Sequence, residues 1–296
     1  MEYRIKKHEA YSSTTPVIPT LPIVVESPHD STQHPKDAPF SCAPIHHMKQ
    51  VDWGIGDMVI PVAKSHGAST LKSEKHRCYI DFNRSARHMH PDHILGDTSQ
   101  LDVSENSLYA KAGLGVVQTI AYLGSDVRLV DPLPTQQEVL SRIDKYWRPY
   151  HAQLDHHIQN NIDNFGHSLH LSCHSFPLKN MREKKELEGS TFFLGTIDHK
   201  TADPEILSLT KTFLESQGYG VKCNHVLKGM ELVRQHGKPC DNKHSIQIEI
   251  VRESYMDVDT FEINQENFCK LQTIISDLIQ TLGQEMIQRS HRKPSL

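Results

Sequence analysis

Between Leu169 and His174 the side chains alternate strictly, with Leu169, Leu171 and Cys173 on one side of an extended segment and His170, Ser172 and His174 on the other. Period-two alternation is the signature of a strand. Further β-branched or apolar runs at 23–26, 78–82, 191–194, 221–224 and 245–251 read as strands as well, and this one as a strand over 168–174. Helical patterns lie between them. One opens on a capping box, Thr135-Gln136-Gln137-Glu138, and carries Val139, Ile143, Tyr146, Tyr150, Leu154, Ile158 and Ile162 on one face before Gly166. Pro149 is expected to kink it. A second starts at Asp203-Pro204, presents Ile206, Leu209 and Phe213, and stops before Gly218. A third runs from near Asn264 through Phe268, Leu271, Ile275, Leu278 and Leu282 toward Met286. This succession predicts a three-layer α/β/α sandwich built on a mixed, mostly parallel sheet. The expected extent is one domain over 1–296, with its core at about 20–288 and loosely held tails at 1–20 and 289–296. In such a sandwich a strand that turns histidine, serine and histidine to one face calls for an explanation: either that face meets water or it belongs to a functional site, and cover by helices on both faces favours the site.

Composition narrows the class. A chain of 296 residues with 37% hydrophobic content is long enough for a full core. Its longest apolar runs, 22–25 and 245–251, fall far short of the roughly 20 residues needed to cross a bilayer, so no membrane span is expected. No apolar stretch follows the charged amino terminus, which argues against a secretory signal and for a cytoplasmic protein. Six cysteines are scattered without paired spacing, and a net charge of -4 gives no basic surface for nucleic acid. The 21 histidines signal either metal chemistry or a histidine-rich surface, and position must decide.

Several positions can carry chemistry. His29 follows the strand that ends in Glu26-Ser27, at the carboxyl edge of the sheet where ligands usually bind; it reads equally as a loop histidine bonded to backbone. His174 ends its strand and is the better ligand there, while His170 belongs to the core or supports from behind. Within Ile246-Gln247-Ile248-Glu249-Ile250 the isoleucines share one face and leave Glu249 opposite, a costly place for a carboxylate unless it is paired, with Arg252 as the obvious partner, or used in catalysis. Arg84, after Asn83, has the planar fork that grips a carboxylate through two parallel hydrogen bonds. Asp52 opens a helical stretch through Ile55, Met58, Val59 and Val62, as its cap or as a metal ligand.

The ordered set of Ser27-Pro28-His29, Ile80-Asp81-Phe82-Asn83-Arg84, Cys173-His174-Ser175, Leu194-Gly195-Thr196, Lys228-Gly229, Gly237-Lys238-Pro239 and the Ile246 to Ile250 strand resembles the N-formylglutamate amidohydrolase family. That family is similar in site layout to zinc carboxypeptidases and aspartoacylases. The resemblance implies a zinc-dependent amidohydrolase acting on a small-molecule N-acyl amino acid, with His29, Asp52 and His174 as ligands of one Zn2+ and an open fourth position for water. It further implies Glu249 as the general base, with Arg84 and Asn83 holding the substrate carboxylate. Three departures stand out: Asp30-Ser31 where the family has Ser-Gly, so that Asp30 competes with Asp52 as a ligand; Ser172 where it tends to have an aspartate; and Lys228-Gly229 for Gly-Gly.

Overall fold

The computed structural model describes residues 1–291 except 37, 39, 104–106, 123–124 and 182. Eight strands form one sheet in the order β1-β2-β4-β3-β5-β8-β6-β7. They are β1 (Tyr3–Lys7), β2 (Tyr11–Pro16), β3 (Ile23–Ser27), β4 (Ser69–Ser73), β5 (Ser168–Phe176), β6 (Ser190–Gly195), β7 (Gly220–Cys223) and β8 (Lys243–Val251). Around them lie α1 (Pro44–Met48), α2 (Ile55–Ser65), α3 (Leu108–Lys111), α4 (Gln136–Arg142), α5 (Arg148–Phe165), α6 (Lys184–Leu187), α7 (Pro204–Ser216), α8 (Glu231–His236) and α9 (Gln265–His291).

The central strands β4, β3, β5 and β8 run parallel, whereas β1, β2 and β6 join antiparallel. Strands covered on both faces need apolar side chains on both, and β3 supplies them in alternation. Ile23 and Val25 enter a core shared with Ile55, Met58, Leu278 and Leu282 of α2 and α9, while Val24 enters a second core with Tyr150, Leu154 and Ile158 of α5. Full burial of each aliphatic side chain contributes about 1.5–3 kcal/mol. The expected three-layer mixed sandwich is the observed architecture. Among the described residues no helix is long and apolar enough to cross a membrane.

Three local expectations differ from the structure. The run at 78–82 is a series of turns, because the Asp81 carboxylate accepts the Asn83 N–H at 2.9 Å and the Asp81 carbonyl accepts the Arg84 N–H at 3.2 Å, bending the chain away from any ladder. The amino-terminal tail is ordered: β1 and β2 pair in register from Tyr3↔Pro16 to Lys7↔Ser12, and β2 continues onto β4. Tyr11 is buried edge-on against Tyr150, and Ser13 Oγ meets His157 at 2.7 Å, so a mostly polar segment is held by contacts far along the chain. At the other end α9 continues to His291, with Arg289 bonded to Asp203, Glu205 and Glu285; positions 292–296 of the expected tail lie outside the described residues. The interruption expected at Pro149 takes the form of a π-helical turn, Ile143–Trp147, just before it. The capping box at Thr135 and Glu138 is present as read.

Candidate active site

Because β3, β5 and β8 are parallel neighbours, their carboxyl ends open on the same edge of the sheet. His29 lies two residues past β3. His174 and Glu249 face one another in register on β5 and β8. Asp52 is drawn to them by its own backbone, whose N–H donates to the His29 carbonyl at 2.9 Å. Two residues later Gly54 turns the chain at φ 73° into α2, a left-handed conformation suited to glycine. Gly54 is the residue before α2 and the Asp52 side chain caps nothing, which leaves that carboxylate free for the cavity.

The Asp52 carboxylate stands between two imidazoles. Its Oδ2 is 3.4 Å from His29 Nδ1 and 3.1 Å from His174 Nδ1. Its Oδ1 accepts from Arg252 Nη2 at 3.1 Å, and Arg252 also donates to Ser175 Oγ at 3.0 Å. Arg252 therefore secures Asp52 rather than Glu249, the partner suggested by proximity in sequence. Burial alone would raise the Asp52 carboxyl, but the hydrogen bond from His174 and the neighbouring imidazoles outweigh it and hold the group below its ordinary range. His29 is oriented from behind by Asp81, whose Oδ1 lies 2.8 Å from Nε2. Asp81 is in turn fixed by Arg77 at 2.8 and 3.2 Å and by Gln118 at 2.9 Å. With Nε2–H donated to a carboxylate, His29 Nδ1 presents a lone pair. That nitrogen is buried and has no hydrogen-bond partner.

His174 Nε2 is 3.0 Å from Ser172 Oγ and 3.3 Å from Asn83 Nδ2. Ser172 thus stands behind His174 as Asp81 stands behind His29, with a hydroxyl in place of a carboxylate. Glu249 accepts from Gln247 Nε2 at 2.9 Å, and burial holds its carboxyl above the ordinary value. Asn83 is clamped, donating to Gln247 Oε1 at 3.2 Å and accepting the Leu232 N–H at 3.0 Å. Arg84 donates Nε–H to the Leu114 carbonyl at 3.1 Å and lies over the Tyr109 ring, its guanidinium carbon 4.8 Å from the centroid. His29, Asp52, Asn83, Arg84, His174 and Glu249 all line one cavity of about 200 Å³.

Asp30, the competing carboxylate, stays outside this group: it pairs with Lys72 at 2.9 Å, and burial pushes its carboxyl up to about 6. Lys228 lines the cavity rim and bonds Asp198 at 3.0 Å. Gln247, which the strand pattern puts on the polar face of β8 with Glu249, also lines the cavity, as do Arg77 and Tyr109, which were not singled out from the sequence. Arg77 is brought in by a turn and Tyr109 by the short helix α3, and neither has a local pattern.

A second group of donor atoms, His47, His76 and Cys78, is also close enough to share an ion. Its chemistry is less open, since His76 Nδ1 accepts the Cys78 N–H at 3.0 Å and Nε2 faces the His47 carbonyl at 3.2 Å. Both nitrogens of that ring are already committed.

Residues 21–256 match the family described as N-formylglutamate amidohydrolase. The chain is 26% identical over 247 residues to an N-formylglutamate deformylase of Pseudomonas putida, covering 82% of this chain and 85% of that protein. A Pseudomonas aeruginosa N-formylglutamate deformylase is 23% identical over 239 residues, covering 80% and 83%. In structure, the N-formylglutamate amidohydrolase of Ralstonia eutropha JMP134 superposes with a TM-score of 0.85 at 29% identity, covering 95% of this chain and 99% of that one. A gene product of Agrobacterium tumefaciens shares the fold, with a TM-score of 0.65 at 12% identity over 93% and 95% of the two chains. A match over most of the length, joined to a cavity that gathers the residues of its ordered motifs, places the chain in the N-formylglutamate amidohydrolase family.

Proposed function

We propose that this protein hydrolyses N-formylglutamate to formate and glutamate, using one zinc ion held by His29 Nδ1, Asp52 Oδ2 and His174 Nδ1. The observation that carries the reading is the buried, unpartnered His29 Nδ1, aimed at a carboxylate oxygen that a second imidazole also approaches. A lone pair facing an anionic oxygen in a buried site is repulsive unless a cation lies between them. Two nitrogens and a carboxylate oxygen suit zinc and leave one position for a reactant. Such an ion supplies Lewis acidity toward water and the amide carbonyl near neutral pH.

The protein groups account for the rest. Glu249, its proton affinity raised by burial, accepts the proton of the attacking water at a carboxylate oxygen and passes it to the departing nitrogen. Water oxygen ends on formate, and the nitrogen leaves as the amino group of glutamate. Arg84 holds a substrate carboxylate, with Asn83 beside it, and Tyr109 packs against the guanidinium. Asp81 and Ser172 keep His29 and His174 turned toward the centre. Arg77 and the rim Lys228 add positive charge to a cavity suited to a small anionic substrate.

Metal analysis and formate release from N-formylglutamate, set against acetyl- and succinyl-amino acids, test this reading. One zinc per chain and preference for the formyl substrate are expected; a preference for another acyl group would reassign the substrate within the same chemistry. Arg84→Met should raise KM by about 10- to 100-fold, the loss of hydrogen bonds to a charged group, with zinc retained.

A further inference from the structure

Behind the cavity, a line of hydrogen-bonded side chains ends on the backbone that carries Asn83 and Arg84. His151 of α5 lies with Nε2 2.9 Å from the Phe82 carbonyl and Nδ1 2.9 Å from Nε2 of His236, the last residue of α8. His236 Nδ1 lies 2.8 Å from Oδ1 of Asp155, one helical turn beyond His151. Trp147 stacks on His151 with ring centroids 3.8 Å apart and donates its indole N–H to the Arg84 carbonyl at 2.8 Å. The carbonyls that bracket Asn83 and Arg84 therefore hang from two stacked rings. The other end of α8 reaches the same segment, through the Leu232 N–H on Asn83 Oδ1.

Counting protons along the line gives it a charge. A carbonyl only accepts, so His151 Nε2 carries a hydrogen; a carboxylate only accepts, so His236 Nδ1 carries another. The link between the rings needs a third. Three protons on four ring nitrogens are one more than two neutral imidazoles possess. The excess belongs on His236, which faces the carboxylate, since burial and the neighbouring His236 hold the His151 ring well below its ordinary value. Burial would raise the Asp155 carboxyl, but the hydrogen bond and charge of His236 outweigh it and leave it lowered. Other groups near the pair are His170, edge-on to His236 at 6.3 Å and itself tied to Glu26 and Ser245, and Lys238 and Lys243 on the Asp155 side.

We propose that Asp155, His236 and His151 are positioning residues for the Asn83–Arg84 substrate grip, kept in register by one excess proton, so that the grip loosens as the solution becomes alkaline. The proposal rests on the reading of Arg84 and Asn83 as substrate-binding groups. When the excess proton leaves, two protons must serve three links, and one link opens.

Asp155→Asn tests this directly. The Asp155 side chain is 64% exposed, so the change does not disturb the core. A carboxamide can donate to His236 Nδ1, which satisfies every link with both imidazoles neutral. In the native protein KM for N-formylglutamate is expected to rise at least about threefold between about pH 7 and about pH 9.5, as the hydrogen-bonded line gives up its excess proton. The Asp155→Asn protein should show a flat KM over that range, with the pH dependence of kcat shared by both. Long-range 1H–15N spectra should show both His236 nitrogens protonated in the native protein near neutrality and one protonated in the variant. A neutral His236 ring in the native protein would overturn the proton count. Spectra as expected but superimposable KM profiles would overturn the positioning role, while Arg84→Met tests the substrate reading separately.

Discussion

Histidines are used in two ways around β5. At the carboxyl edge, His29 has one nitrogen committed to Asp81 and the other buried without a partner, and His174 points Nδ1 at the same Asp52 oxygen. Toward α5, His151, His236 and His170 have both ring nitrogens matched to a carbonyl, a carboxylate, a hydroxyl or another ring. Matched rings are part of the framework, because a buried polar atom that finds a partner stabilises one arrangement. An unmatched nitrogen is retained at a cost, and that cost points to something it binds. The unmatched nitrogen alone does not mark the site, since His46, His47 and His167 also bury one; at His29 it is the convergence with Asp52 and His174 that does.

The most severe way to break the comparison is His174→Ala. It should abolish zinc binding and reduce turnover beyond the 10- to 100-fold that loss of an outer partner costs. A full zinc complement in that variant would move His174 to the matched class. Glu249→Gln comes next: zinc is retained while kcat drops by about 10² to 10⁴, the range for a lost general base. Near-normal turnover would remove Glu249 from the reaction.

The smallest effect probes a matched ring. His157 is bonded to Ser13 Oγ at 2.7 Å, and burial pushes its imidazole down to about 3 from 6.5. Protonation then favours the unfolded chain, so the stability from this group is complete above pH 6.5 and declines as pH falls toward 3. At about 1.4 kcal/mol per pH unit, it amounts to about 2 kcal/mol lost by about pH 5. Urea unfolding of native protein and His157→Gln at both pH values measures it: the variant should lose about 2 kcal/mol less on acidification. Equal losses would show that His157 does not carry this acid sensitivity.

Much of the candidate site was legible because its residues sit in short patterns. The alternation that put His170, Ser172 and His174 on one face of β5 reflects backbone geometry alone, as does the opposition of Glu249 to the isoleucines of β8. The choice between Asp30 and Asp52 was not legible. It depends on Lys72, which claims Asp30, and on Arg252, which holds Asp52 from 200 positions away. The turns at 78–82 and the hairpin of β1 and β2 escaped for related reasons. In the first, an aspartate side chain competes with strand pairing; in the second, polar residues become strands only because Tyr150 and His157 lie beneath them.

By itself, the sequence determined the capped helices, the central apolar strands and the faces on which His174 and Glu249 lie, since capping, periodicity and pleat act within a few residues. Tertiary structure alone decided that His29, Asp52 and His174 meet, that Arg77 and Tyr109 join the same cavity and that His151 and His236 share a hydrogen bond. Asp52 and His174 alone are 122 positions apart, and nothing in local conformational preference encodes which distant partner a buried nitrogen will find.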